Sequence, residues 1–216
     1  IERAWQDPDM KEKILTSAEG IANALEKHLA AAAEEKSPDQ PDAAALISDA
    51  LSALTPRYDP VYGGFSRAPK FPMPPLLELL LTAVRLGRTG QIDPAKKEQA
   101  LDMLRQTLLA MTRGGIFDQL GGGFHRYATD EKWHLPHFEK MLYDNAQLAA
   151  ILLDAQPFIN VDWPSRAAEE TLEYLLQEMA HPEGGFYSAE DADSYVVDEG
   201  VGEKREGAFY AWQLKE

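Results

Sequence analysis

Three of the five histidines, His125, His134 and His137, fall within one stretch running from Asp118 to Asp144. Arg126, Tyr127, Trp133, Glu139 and Lys140 lie among them. Imidazoles close to carboxylates and ammonium groups suit proton transfer near neutral pH, or the gripping of hydroxyls. Placed on a helix opened by Pro136, His137, Lys140, Asp144 and Gln147 share one polar stripe opposite an apolar sector built on Phe138, Leu142, Ala149, Leu152 and Leu153. On that spacing Lys140 pairs with Asp144 one turn on and leaves His137 free to act. A solvated helix face is the plainer reading of the same stripe. A second acidic cluster, Ser188-Ala189-Glu190-Asp191-Ala192-Asp193-Ser194, offers Asp191 and Asp193 as acid/base partners or hydroxyl acceptors, or else as a solvated loop. His134-x-x-His137-x-Glu139 is a poor metal site, because Pro136 breaks any helix the two histidines could share. The 188–194 run lacks the glycine and the closing glutamate of a calcium loop. No metal and no cofactor is expected.

The elements that must position these residues repeat. Tyr62-Gly63-Gly64-Phe65, Gly121-Gly122-Gly123-Phe124 and Glu183-Gly184-Gly185-Phe186-Tyr187 place their phenylalanines 59 and then 62 residues apart. A variant, Glu206-Gly207-Ala208-Phe209-Tyr210, follows. Each of the first three comes after two helix-like stretches, so the unit is a helical hairpin closed by a tight loop. Apolar spacing predicts helices over 10–34, 42–55, 75–88, 95–113, 136–156 and 164–180, paired as antiparallel hairpins. Pro74 and Pro75 open the third, Gly114-Gly115 stops the fourth, and Asp162 caps the sixth. Leu76 to Leu86, apolar nearly all round, reads as buried. Ala31 to Ala43 reads as an exposed loop, and strand signals are confined to Phe186-Tyr187 and Phe209 to Trp212. The fold class is all-α.

Composition narrows the partners. A formal charge of −15 over 216 residues argues against nucleic acid and against anionic membranes. No apolar run reaches spanning length, Glu78 interrupting Leu76–Leu81, so the chain reads as soluble. The absence of cysteine excludes disulfide and thiol chemistry in this segment. It leaves the compartment open, with the cytoplasm favoured.

Several blocks taken in order resemble one family. They are Tyr58-Asp59, Tyr62-Gly63-Gly64-Phe65, Ala68-Pro69-Lys70-Phe71-Pro72, Gly121 to Tyr127, Trp133 to Asp144, and Gly184 to Ser194. The chain is similar to the spermatogenesis-associated thioredoxin-like (YyaL-type) proteins. The resemblance implies an N-terminal thioredoxin-like domain outside this chain, followed by an (α/α)6 barrel like those of six-hairpin glycosidases and N-acylglucosamine 2-epimerases. Residues 1–216 would then be a single partial domain holding about three of six hairpins, with bare apolar surface where the rest would pack. A carbohydrate ligand in the barrel mouth is implied by fold analogy. His125, His137, Asp191 and Asp193 would supply acid/base chemistry of an epimerase, isomerase or glycosidase type. Arg126, Tyr127, Trp133, Glu139, Lys140 and Asp144 would bind ligand. The rival is a non-catalytic scaffold that presents clients beside the thioredoxin-like domain.

Overall fold

The computed structural model describes Trp5, residues 7–34, 42–195 and 204–211, with backbone only for residues 28–34. It divides into two compact units, Ile1–Asp42 and Ala43–Glu216. In the first, helix α1 spans Pro8–Glu34. Asp7 caps it, its Oδ1 accepting from the amides of Asp9 and Met10. Ile14, Ile21 and Leu25 on its apolar face are exposed. The helix therefore runs into the stretch expected as a loop, and residues 35–41 of that stretch lie outside the described ones.

The second unit holds α2 (Ala43–Leu54), α3 (Pro74–Arg88), α4 (Pro94–Arg113), α5 (Leu142–Ile159) and α6 (Trp163–Gln177). Short links join α3 to α4 and α5 to α6, and each pair packs as a hairpin. The core lies where α3 meets α2, α4 and α5, on Leu51, Leu77, Leu80, Leu81, Leu104, Leu108, Leu148 and Leu152. Leu76 and Leu79 of the apolar α3 stretch are half-buried at its edge. Asp93 caps α4, accepting from Ala95 and Lys96. Asp162 holds the N-cap place of α6 but makes no side-chain capping bond. The buried face of α6 is Ala168, Thr171, Tyr174 and Leu175, while Leu172 and Leu176 are exposed.

One helix starts later than its sequence suggests. Pro136 does not open α5. Pro136–His137 (β2) pairs antiparallel with Tyr127–Ala128 (β1), and Lys140–Met141 (β3) pairs with Ala189–Glu190 (β4). The backbone bonds of 136–141 are thus satisfied by distant segments, and the helix begins at Leu142. A further pair joins Asp193–Tyr195 (β5) to Lys204–Glu206 (β6). Of the stretches expected as strands, Phe186 forms an isolated antiparallel bridge with Ala180, Phe209-Tyr210 is a turn, and Trp212 lies outside the described residues. These short ladders sit beyond the helix ends and carry the polar residues.

Candidate functional site

The first two glycine loops are built alike. Asp59 Oδ1 accepts from the amides of Val61 and Tyr62, and Asp118 Oδ1 from those of Leu120 and Gly121. Each aspartate amide donates to a glycine carbonyl five residues on, Gly64 or Gly123. A buried lysine then seals each loop. Lys70 Nζ reaches Asp59 Oδ2 at 2.6 Å and the Glu131 carbonyl at 2.9 Å, over the Trp133 ring. Lys140 Nζ reaches Asp118 Oδ2 at 2.8 Å and the Gly122 carbonyl at 2.9 Å, over the Tyr174 ring at 4.1 Å. Burial works to raise both aspartates, but the loop amides and the lysine outweigh it and hold both below the usual carboxylate range.

This arrangement corrects two expectations. Lys140 pairs with Asp118, not Asp144, because its strand turns it toward the loop instead of along a helix. Trp133 is fully buried, donates from Nε1 to the Tyr62 carbonyl at 2.8 Å and gives its ring face to Lys70, so it has no face left for a ligand.

The remaining polar residues collect around β1 and β2. The His137 ring stacks on Tyr127 with centroids 4.9 Å apart and planes 16° from parallel. Its Nδ1 lies 2.6 Å from Glu206 Oε1, and its Nε2 lies 3.8 Å from Glu139 Oε2. Glu139 in turn holds Arg126 at 2.7 Å. Asp144, in the first turn of α5, is 7% exposed. Burial pushes its carboxyl up to about 6 against the pull of Arg126. Arg126 thus joins the His137–Glu139 group to Asp144.

The other two carboxylates belong to the β5–β6 side of the site. Asp193 sits on β5 opposite Glu206, the partner of His137. Asp191 is exposed, accepts from the Asp193 amide at 3.1 Å and lies 3.8 Å from Lys204. His125 is 2% exposed, its ring edge-on to both Phe138 and Tyr210. Burial, reinforced by the charge of Lys140, lowers its imidazole to about 4, so it is neutral near pH 7.

Residue-type reasoning missed Asp118, Glu190, Tyr174, Tyr210 and Glu206. Tyr174 donates to Glu190 at 2.6 Å, and burial together with that carboxylate pushes the phenol up. A signal for Asp118 was present. Asp59 and Asp118 both stand five residues before the last glycine of their loops, the one that precedes the phenylalanine. Glu206 carries no comparable mark beyond opening the fourth glycine–aromatic variant.

The packing of the helical hairpins is that of solved (α/α)6 barrels. The unit is matched by cellobiose 2-epimerase from Spirochaeta thermophila at a TM-score of 0.52 and 22% identity, covering 68% of this chain and 39% of that one. A sugar epimerase from a ruminal bacterium matches at 0.55 and 15% identity, over 68% and 40%. These likenesses establish an all-α fold of the (α/α)6 barrel type. No family model matches the chain. In sequence it is 44% identical over 176 residues to spermatogenesis-associated protein 20 of Rattus norvegicus and of Homo sapiens, across 82% of this chain. An uncharacterized protein of Caenorhabditis elegans matches at 41% over 161 residues. The chain is a homologue of the spermatogenesis-associated protein 20 proteins over most of its own length, and it spans about a fifth of theirs.

Proposed function

We propose that this segment forms the wall of a carbohydrate-binding site in which His137 exchanges protons with a sugar hydroxyl or ring carbon. The observation carrying the proposal is the 2.6 Å contact between His137 Nδ1 and Glu206 on a ring stacked over Tyr127. A carboxylate on one imidazole nitrogen fixes the tautomer and leaves the other nitrogen to take or give a proton. Arg126 and Glu139 supply a donor and an acceptor for hydroxyls beside it. Asp144 is a second titratable group poised near neutral pH, within the field of Arg126. Asp193, the ladder partner of Glu206, and Asp191 beside it would serve as further acid/base partners or hydroxyl acceptors. The likeness to sugar epimerases supports the ligand class by fold analogy. On this reading a thioredoxin-like domain and the remaining hairpins belong to a longer protein of which this segment is one part.

The scaffold reading is favoured by a different observation. Lys70, Trp133 and Lys140 are wholly consumed in sealing loops. A thermal-shift panel of mono- and disaccharides on the full-length protein separates the two. A sugar that raises the melting temperature, with the gain lost in His137→Gln, supports the proposal. No shift from any sugar, with His137→Gln melting like the parent, supports the scaffold.

A further inference from the structure

Phe71 stands next to the lysine that seals the first glycine loop, and the backbone sets it in line with His137. Lys70 and Ala128 form an antiparallel bridge in which each amide donates to the other's carbonyl at 2.8 Å. On the other flank of β1, Ala128 pairs with Pro136 and Tyr127 with His137. Side chains alternate between the two sides of such a ladder. Lys70, Ala128 and Pro136 are buried on one side. Phe71, Tyr127 and His137 form the row on the other, with Phe71 39% exposed.

The rings of that row touch in series. Phe71 and Tyr127 have centroids 4.9 Å apart with planes at 37°, and Tyr127 and His137 repeat the 4.9 Å spacing at 16°. Among the described residues the Tyr127 hydroxyl has no hydrogen-bond partner, so no polar contact fixes its ring. No ring contact joins Phe71 to the imidazole itself, so any influence passes through Tyr127.

The torsion that turns the ring of a histidine or a tyrosine is broad, so neither plane is set by its own chain. Glu206, whose side chain is 49% exposed, holds one nitrogen of His137 but leaves the plane of the ring free to swing. A flat wall removes that swing, provided the wall cannot turn. Phe71 backs the Tyr127 ring from the flank opposite His137.

We propose that Phe71 is a positioning residue for His137. Acting through Tyr127, it fixes the imidazole plane, so that Nδ1–H stays on Glu206 and Nε2 stays presented as the bare nitrogen. The inference rests on the reading of His137 as the proton-exchanging group, and adds the residue that orients it.

The tautomer is read from the imidazole 15N shifts of histidine-labelled full-length protein at mildly alkaline pH, where the ring is neutral. The His137 signals are assigned by their loss in His137→Gln. The parent is expected to show one protonated and one bare nitrogen, well separated. In Phe71→Leu, a change at an exposed position, the two shifts should move toward each other as the tautomers average. Phe71→Tyr keeps a ring there and should keep the parental separation. Tyr127→Leu removes the wall itself and should average the shifts, which keeps the test decisive if Phe71→Leu does not fold. Parental separation retained in folded Phe71→Leu, or in Tyr127→Leu, would overturn the proposal and leave the His137–Glu206 reading standing. Averaging in Phe71→Tyr as complete as in Phe71→Leu would also overturn it, since the ring would then not be the cause. Averaged shifts in the parent itself would remove the reading of His137, and this inference with it.

Discussion

At Gly122 the backbone runs so close to α6 that an added Cβ would collide with the Glu170 carbonyl oxygen. At Gly185, in the next loop of the same signature, an added Cβ would meet nothing within 4 Å. The phenylalanines that follow repeat the contrast. Phe124 is fully buried, and Phe186 is 48% exposed. The third loop is also one residue tighter. His181 replaces the aspartate, its amide donating to the Gly185 carbonyl four residues on, and Nδ1 accepts from Glu183. No lysine seals it among the described residues. The first two loops each rest on the second helix of the following hairpin: Gly63 on Thr107 of α4, Gly122 on Glu170 of α6. The glycine–aromatic signature therefore specifies the turn, and the acid–lysine pair together with the next hairpin specifies its burial.

Removing the seal breaks the comparison most strongly. Lys140→Met leaves Asp118 and the Gly122 carbonyl without their cation, and loss of one partner of a buried pair costs about 3–5 kcal/mol. The variant's loop should then exchange its amide hydrogens as fast as the third loop, which hydrogen-exchange mass spectrometry would read. Retained protection at Gly121 to Phe124, with parental stability, would mean that the helix contact alone holds the loop.

Burial of the second loop also carries a pH signature that the third lacks, since Tyr187, in the place of His125, is about half exposed. His125 is lowered to about 4, so the unfolded chain binds more protons between about pH 6.5 and 4, and stability falls as pH drops through that window. Asp144 is raised to about 6, so the native state binds more protons between about pH 6 and 4, and stability rises as pH drops there. Each is worth about 3 kcal/mol, with opposite sign, so the two largely cancel in the parent. Asp144→Asn removes the compensating half. From pH 7 to pH 4 the variant should lose about 3 kcal/mol more than the parent, read by urea unfolding at each pH. Parallel curves would show that Asp144 is not buried as a poised acid.

What could be read from the residues divides along the same line. The helices of the second unit announce themselves through local apolar spacing, and prolines and glycines mark the ends of α3 and α4 correctly. The start of α5 misleads because Pro136 suits a helix start as well as a strand, and only the distant partners Tyr127 and Ala189 decide. The same long-range pairing moves Lys140 from a ligand stripe into a loop seal and brings Glu206 to His137. Repeated sequence told which loops are alike, while the packing that makes them different comes from residues 40 or more positions away, such as Gly63 on Thr107.

The smallest effect tests the open loop itself. Gly185 has φ of +81°, so alanine there costs the left-handed backbone penalty, about 1 kcal/mol, and nothing for space. Gly122 has φ of +75° and pays the same backbone cost, and in addition α6 must move to relieve the contact with the Glu170 carbonyl. In the full-length protein, Gly185→Ala is therefore expected to lower stability by about 1 kcal/mol, clearly less than Gly122→Ala under the same denaturant titration. The comparison cuts in both directions. If Gly185→Ala proves as damaging as Gly122→Ala, some other part of the full-length protein lies against the third loop as α6 lies against the second, and the openness seen at Phe186 belongs to this segment alone. If the cost stays near the backbone penalty, the third loop is free in the whole protein, and the glycine–aromatic turn persists there without a helix to cover it.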